Sequence, residues 1–392
     1  MSLYEKCDKF TEAKKVQKMG FYPYFRVISS DQDTEVIVNG KKALMFGSNS
    51  YLGLTNHPKV KEAAIEATKK YGTGCAGSRF LNGTLDIHIE LEEKLADLVG
   101  KETALAFSTG FQANLGTIGT IVGRGDFIIS DKLDHASIID GARLSYGKML
   151  RFNHNDMKDL ARILKKVEDK SKLIVVDGIF SMEGDIANLP EITKLAEKYH
   201  AEVMVDDAHS IGVLGEKGSG TSNHFGLTDD IDLIMGTFSK SLASIGGFIA
   251  GDENMLHYLK HFSRPLIFSA SLPPASAASV IAALNIMKNE PERIEKLWKN
   301  TRKMQKGFKE MGYDIGVSNT PIIPLHVGEM MIAFRMWKML KEEGVFINPV
   351  IPPAVPPNDC LIRASFMATH TDRQLDIALD KFEKVGKKLN II

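Results

Sequence analysis

The amino-acid sequence predicts an α/β fold, in which a mostly parallel sheet of seven strands carries helices on both faces and a smaller α+β domain follows. Short apolar runs recur from about residue 103, and stretches of helical length rich in charged residues separate most of them. The runs are almost continuously apolar, as in strands buried on both faces. This alternation is typical of parallel strands connected by helices.

The seven predicted strands follow one another along the chain, each bounded by turn residues. They are residues 103–108, 126–130, 148–152, 172–177, 202–206, 232–238 and 246–251. The loop between the last two is too short for a helical crossover, which parallel neighbours need. We therefore expect residues 246–251 to run antiparallel to the strand before them.

Changes in this pattern divide the chain into three parts. Residues 1–45 predict an N-terminal helix and a hairpin, which are too small to hold a core alone. Residues 46–275 predict the large domain that contains the sheet. Residues 276–392 predict the smaller domain, because a long helical region there precedes short strands and a closing helix at 371–387.

Charge and composition argue against several classes of function. With 49 basic and 49 acidic residues the formal net charge is zero, which argues against nucleic acid or an anionic membrane as an electrostatically driven partner. No apolar run approaches the ~18 residues of a membrane span, and the charged N-terminus is unlike a secretion signal. Three scattered cysteines give neither a disulfide framework nor a zinc-binding spacing, which favours a reducing cytoplasm and no metal site.

Polar side chains follow most of the predicted parallel strands, at the edge where ligands bind in open α/β sheets. A lysine among small and hydroxylated residues is the unusual member of this set, because lysines normally lie among other polar side chains in solvent. The polar residues are His135 after the second strand, Ser181 after the fourth, Asp206 and His209 after the fifth, and Thr237 and Lys240 after the sixth. After the first strand, Gly110 and Phe111 open a helix.

This set has the chemistry to bind one particular cofactor. A lysine amine attacks a carbonyl to form a Schiff base. Hydroxyl groups and free backbone amides at a helix start suit a phosphate, and a buried carboxylate keeps a pyridine nitrogen protonated. These three features together describe pyridoxal 5′-phosphate, which has an aldehyde, a phosphate and a ring nitrogen.

A purely structural role is the alternative for several of these residues. The cofactor interpretation is favoured because the lysine, the acid and the histidines all fall at ends of predicted neighbouring strands. The alternatives are a surface lysine for Lys240, a strand-end cap for Asp206 with His209, a structural role for His135, an interface ion pair for Arg363, and a tight turn without a ligand around Ser78.

The segment around Lys240 is also the most specific sign of a known family. The stretch "TFSKSLASIG" (237–246) matches the lysine signature of fold-type I pyridoxal-phosphate enzymes at every position. The chain resembles the α-oxoamine synthase family over essentially its whole length, and "GSRFLNGTLDIH" and "FINPVIPPAVP" are closer to its serine-using members. The other motifs that carry the resemblance are "FGSNSYLGL" (46–54), "GTGCAGSRFLNGT" (72–84), "DHASIIDG" (134–141), "VDGIFSMEGD" (176–185), "VDDAHSIGV" (205–213) and "IRASFMATHT" (362–371).

The resemblance implies a role for each matching residue. Lys240 would bind the cofactor aldehyde and later move the α-proton, and Asp206 would pair with the pyridine nitrogen. His209 would hydrogen-bond the phenolic oxygen, while His135 would stack on the ring and anchor the substrate carboxylate. The others would lie at the phosphate (Gly110, Phe111, Ser181 and Thr237, with Ser269 and Ser271 from a second subunit) or bind the amino acid (Arg363 and Asn49). Ser78 would shape the acyl channel or the dimer contact.

The resemblance further implies a decarboxylating condensation of L-serine with a long-chain acyl thioester. With palmitoyl-CoA the product is 3-ketosphinganine, the first step of sphingolipid synthesis, and an acyl carrier protein is the alternative donor. The same chemistry with cysteate, glycine or alanine stays open, as do an aminotransferase and a catalytically silent partner subunit, although silent subunits lack the lysine. We expect a homodimer with shared active sites, in the cytoplasm or peripheral to the inner membrane.

Overall fold

The computed structural model describes residues 2–392, and its N-terminal segment forms two short helices and a hairpin. The hairpin turns at Asn39 and Gly40, whose φ angles of 51° and 73° are both positive. Such a two-residue turn matches the twist of the paired strands. The elements are α1 (Glu5–Lys9), α2 (Glu12–Lys18), β1 (Glu35–Val38) and β2 (Lys41–Met45).

A seven-stranded sheet lies at the centre of the protein. Its strands are β3 (Thr103–Phe107), β4 (Phe127–Asp131), β5 (Lys148–Phe152), β6 (Lys172–Asp177), β7 (Glu202–Asp206), β8 (Leu233–Thr237) and β9 (Gly247–Gly251). The order across the sheet is β3-β9-β8-β7-β6-β4-β5. Only β9 runs antiparallel to its neighbours, β3 and β8. The predicted strands and the antiparallel direction of the last one are thus confirmed.

Helices cover both faces of this sheet because successive strand residues point to opposite sides. On β6, Ile174 and Val176 belong to one apolar core, whereas Leu173 and Val175 belong to another. The helices of this part are α3 (Pro58–Tyr71), α4 (Asp86–Val99), α5 (Gly110–Ile121), α6 (Ala136–Leu144), α7 (Met157–Lys166), α8 (Leu189–Tyr199), α9 (Thr221–His224), α10 (Glu253–Phe262) and α11 (Arg264–Ile267).

The C-terminal part combines helices with a small antiparallel sheet. The sequence predicts one long helical region from residue 276, but the structure has two helices, because Pro291 between them lacks the amide hydrogen that would continue the first. The elements are α12 (Pro274–Asn289), α13 (Glu292–Met311), β10 (Ile322–Gly328), α14 (Met330–Glu342), β11 (Val345–Phe346), β12 (Asn348–Val350), β13 (Cys360–Ser365) and α15 (Asp372–Lys388).

The N-terminal hairpin joins this C-terminal part. Strand β11 pairs in parallel with β2, so that Val345 lies opposite Leu44. Leu44 and Phe46 also belong to the apolar core formed by α13, α14 and α15. The predicted domain boundaries at residues 45 and 275 stay a prediction. Among residues 2–392, no helix has the length and apolar character needed to cross a membrane.

A buried ion pair fixes the glycine-rich segment before α4 to the sheet. Arg79 contacts Glu92 through two hydrogen bonds, of 2.8 and 3.0 Å. Glu92 Oε1 also accepts the amide hydrogen of Ala106 on β3 at 2.8 Å. The two charged side chains are only 8% and 7% exposed, so neither charge has water as an alternative partner.

We predict that Glu92→Gln lowers the free energy of unfolding by about 3 kcal/mol, because it leaves the Arg79 guanidinium buried without a counter-charge. Urea unfolding of the purified protein would measure the change. Glu191→Gln is the matched control, since the Lys194–Glu191 pair is 69% and 49% exposed; its expected effect is within about 0.5 kcal/mol. Equal effects of the two substitutions would contradict the prediction.

Candidate active site

A cleft of about 340 Å³ opens at the carboxyl ends of the parallel strands. Strands β6, β7 and β8 each contribute residues to it, as do the starts of α5 and α6. The predicted site residues that line this cleft are Gly110, Phe111, His135, Asp206, His209, Thr237 and Lys240. Those that do not line it are Asn49, Ser78, Ser181, Ser269, Ser271 and Arg363.

Lys240 lies in a tight loop between β8 and β9. Its carbonyl oxygen accepts the amide hydrogen of Ala243 at 3.1 Å. The surrounding protein lowers the pKa of Lys240 to about 8, mainly because the amine is shielded from water. The carboxylates of Asp206 and Asp177 oppose this shift, whereas the charge of Arg363 adds to it. The neutral, nucleophilic form of the amine is therefore far more populated near pH 7 than in an ordinary lysine.

Asp206 ends β7 and is almost completely buried. Its two carboxylate oxygens accept hydrogen bonds from Asn114 Nδ2 at 2.7 Å and from the amide of Ala208 at 3.0 Å. Such hydrogen bonds stabilise a charged carboxylate away from water. The buried charge is placed to hold a protonated ring nitrogen in the cleft.

The start of α5 forms a recess suited to a phosphate. Thr109 caps the helix by accepting the amide hydrogen of Gln112 at 3.0 Å, whereas the amides of Gly110 and Phe111 have no acceptor among residues 2–392. A β-carbon on Gly110 would lie 2.7 Å from Thr237 Oγ1, so only glycine leaves the recess open. Free amides at a helix start attract a phosphate group.

Two histidines reach the cleft with neighbours that orient their rings. His135 caps α6, where its Nδ1 lies 2.7 Å from the hydroxyl of Ser137. His209 is buried, and its Nδ1 lies 2.7 Å from the hydroxyl of Tyr51. Burial lowers the pKa of His135, and lowers that of His209 well below its ordinary value. The ammonium of Lys240 lowers both further, so both rings are neutral near pH 7.

Arg363 brings the C-terminal part of the chain to the same site. It lies on β13 and donates from Nε to the carbonyl oxygen of Ser181 at 2.6 Å and from Nη1 to Oδ1 of Asn49 at 3.0 Å. Its charge lowers the pKa values of Lys240 and His209. Arg363 with Asn49 is therefore a cationic and polar group placed to bind a carboxylate beside the cleft.

Three predicted residues lie away from the cleft within the chain. Ser269 Oγ accepts from Gln112 Nε2 at 3.2 Å, and Ser271 Oγ donates to the carbonyl oxygen of Gly77 at 3.2 Å. The buried hydroxyl of Ser78 has no hydrogen-bond partner in the part of the chain that the structure describes. Their roles at a second subunit or in an acyl channel stay predictions.

Several polar residues at the cleft were not among the predicted site residues. Asn114 follows Gly110 by one helical turn, and that spacing is the signal that could have placed it at the same end of the sheet. Tyr51 lies in the motif at residues 46–54, and nothing in that motif indicates its contact with His209. Asp177 ends β6 and lines the cleft. Burial, together with the charges of Asp206 and Asp134, raises the pKa of Asp177 well above its ordinary value.

A model of the aminotransferase class I and II family matches residues 41–382. The chain belongs to this family. Within it, the chain is an α-oxoamine synthase, as its sequence relatives show. The serine palmitoyltransferase of Sphingobacterium spiritivorum is 57% identical over 390 residues, which cover 99% of this chain and 98% of that protein. The 8-amino-7-oxononanoate synthase of Thermoanaerobacter pseudethanolicus is 47% identical over 97% of this chain and 96% of that protein.

A solved structure shares the fold over the full length. It is a serine palmitoyltransferase from S. paucimobilis with a bound pyridoxal-phosphate–myriocin aldimine, with a TM-score of 0.97, 36% identity and 100% of each chain covered. The residues of this chain fit the same cofactor. The recess at Gly110 offers unpaired amides, Asp206 offers a buried carboxylate, and Lys240 offers an amine of lowered pKa.

We predict that the protein freed of cofactor captures pyridoxal 5′-phosphate at a rate that rises about tenfold per pH unit and levels off above pH 8. The reason is that only the neutral amine of Lys240 attacks an aldehyde, and its pKa is about 8. Absorbance at a series of pH values measures the rate. N-acetyl-lysine amide is the control, whose rate should rise up to about pH 10.4. A protein curve without a break below pH 10 would contradict the prediction.

Proposed function

We propose that this chain condenses L-serine with palmitoyl-CoA, with loss of carbon dioxide, to give 3-ketosphinganine. The observation that carries the proposal is the full-length similarity to serine palmitoyltransferases, 57% in the Sphingobacterium protein, in a chain with a complete lysine–aspartate–histidine cleft. The cofactor is pyridoxal 5′-phosphate, and the enzyme is an acyltransferase.

The residues of the cleft divide the work of the reaction. Pyridoxal phosphate, when bound, supplies an aldehyde for the amino group and a ring that accepts negative charge from the α-carbon. The carboxylate of Asp206 favours the protonated ring nitrogen. The amine of Lys240, with its pKa near 8, is suited to take the α-proton and to return it near neutral pH. Burial of this amine keeps water from competing for the proton.

The amino acid is oriented at its carboxylate. Arg363 donates from Nε to Ser181 and from Nη1 to Asn49, and these two hydrogen bonds fix the plane of the guanidinium beside the cleft. A fixed, planar cation recognises a carboxylate through paired hydrogen bonds. The charge of Arg363 also reaches the amine of Lys240. In the proposal, a serine bound through its carboxylate at Arg363 has its α-carbon between that anchor and Lys240.

The proposal includes a homodimer that brings Ser269 and Ser271 to the partner's phosphate site. Exposed apolar side chains support it, since Phe80, Leu81 and Phe268 are 51%, 79% and 74% exposed. Exposed apolar surface of this kind is typical of protein interfaces.

A cytoplasmic location is proposed because the three cysteines, Cys7, Cys75 and Cys360, are unpaired thiols.

The amino-acid substrate is tested by competition. We predict that the purified protein, given equal concentrations of serine, cysteate, glycine and alanine with palmitoyl-CoA, makes 3-ketosphinganine as its main product by mass spectrometry. The expectation rests on the full-length similarity to serine palmitoyltransferases, because a carboxylate anchor at Arg363 serves all four amino acids alike. Lys240→Ala is the control and should give no product. A sulfonate-containing product in excess would instead favour the cysteate reaction, which is the second candidate.

We predict that Arg363→Lys raises the KM for serine about 10- to 100-fold with a smaller change in kcat. Lysine keeps the charge but loses the planar pair of donors, a loss of about 1.5–3 kcal/mol of binding. Steady-state kinetics with varied serine measures it, and Arg373→Lys on the exposed start of α15 is the matched control. An unchanged KM would remove Arg363 from the carboxylate site.

A further inference from the structure

A chain of hydrogen bonds connects two sides of the cleft through the buried side chain of Asn114. Its Nδ2 lies 2.7 Å from Oδ2 of Asp206 and 2.8 Å from Oγ of Ser137. Ser137 Oγ in turn lies 2.7 Å from Nδ1 of His135. Asn114 is 0% exposed and Ser137 is 1% exposed, so water does not replace these contacts.

The neighbours of Asn114 determine which way its amide faces. An ionised carboxylate only accepts hydrogen bonds, so the nitrogen of the amide has to face Asp206. A reversed amide would place Oδ1 against a carboxylate oxygen. In the observed orientation Oδ1 is buried and has no partner among residues 2–392. Since an unpaired buried oxygen is costly, the two donated hydrogen bonds must offset that cost.

The direction of this chain determines where the proton of His135 lies. Ser137 Oγ accepts from Asn114, which leaves its own hydrogen for Nδ1 of His135. The backbone amide of Ser137, which only donates, also lies 3.3 Å from the same Nδ1. A ring nitrogen that accepts hydrogen bonds carries no hydrogen. Neutral His135 therefore has its hydrogen on Nε2, the nitrogen not used by the helix cap.

We propose that Asn114 is a positioning residue that acts in two directions. Through Ser137 it holds His135 in the Nε2–H tautomer, and directly it holds the Asp206 carboxylate as an acceptor toward the cofactor ring. The inference rests on the proposed function, because it makes Nε2–H of His135 a donor to the carboxylate of the amino-acid substrate. His135 then binds an anion and does not act as a base, which leaves proton movement to Lys240.

The two directions can be separated by two substitutions. Ser137→Ala removes the hydroxyl that faces His135 but keeps the bond between Asn114 and Asp206. Asn114→Ala removes the hydrogen bonds that Asn114 donates to Asp206 and to Ser137. Thr117→Ala is the matched control, because Thr117 is a buried polar residue on the same helix whose hydroxyl has no partner in the described residues.

Three measurements on the holoenzyme test the proposal: the dissociation constant of pyridoxal phosphate, the KM for serine, and the tautomer of His135 by NMR of the ¹⁵N-histidine-labelled protein. Ser137→Ala should raise the KM for serine by roughly 2- to 10-fold, as for one lost hydrogen bond, with cofactor affinity unchanged. It should also raise the Nδ1–H population of His135, because only the longer contact of 3.3 Å with the backbone amide of residue 137 then opposes that tautomer. Asn114→Ala should weaken cofactor binding by a similar factor and raise the KM as well, and Thr117→Ala should change none of the three.

Some outcomes would overturn the proposal. A His135 tautomer that is Nδ1–H in the unsubstituted protein would do so, as would an Asn114→Ala protein that binds cofactor as tightly as Thr117→Ala. The NMR and cofactor measurements need no turnover. If the unsubstituted protein fails to convert serine while these two measurements follow the expected pattern, the proposed function fails and the positioning role of Asn114 stands.

Discussion

The buried negative charge of Asp206 is the constraint around which the cleft is arranged. Because this carboxylate is almost out of contact with water, its hydrogen-bond donors have to come from the protein, and Asn114 and the Ala208 amide provide them. The same charge opposes the burial that lowers the pKa values of Lys240 and His135. One carboxylate therefore favours a protonated ring nitrogen and limits how far the base and the histidine are shifted.

The parallel sheet makes this arrangement possible by ending its strands at one edge. Asp177 and Asp206 lie side by side in the register of β6 and β7, and β8 leads directly into the lysine loop. Close approach of backbones completes the recess, since a β-carbon on Gly247 would lie 2.4 Å from the α-carbon of Gly110. The start of α5 can sit against β8 and β9 only because both positions are glycine.

The sequence predicted the sheet well because buried parallel strands are apolar runs of characteristic length, and all seven matched within one or two residues. It predicted the cleft residues for the same reason, since strand ends converge. The pairing of β11 with β2 joins positions 301 residues apart in the chain, as Val345 and Leu44 are, and no local pattern encodes it. The roles of Asn114, Ser137 and Tyr51 could not be predicted from the sequence, for a related reason. Each is defined by a hydrogen-bond partner on another element, such as Asp206 for Asn114, and periodicity carries no information on such pairs.

The size of the cleft separates recognition of the amino acid from recognition of the acyl chain. Its volume of about 340 Å³ is at the small end of ligand sites, which is too small to hold the cofactor, an amino acid and a palmitoyl chain together. In the proposed reaction the amino acid is bound by the polar groups around Arg363, and the acyl chain extends beyond the cleft. Relatives named for different products, at 57% and 47% identity, can therefore share one scaffold. Such a difference in product does not require a change at the buried carboxylate of Asp206, whose hydrogen-bond donors are Asn114 and the amide of Ala208.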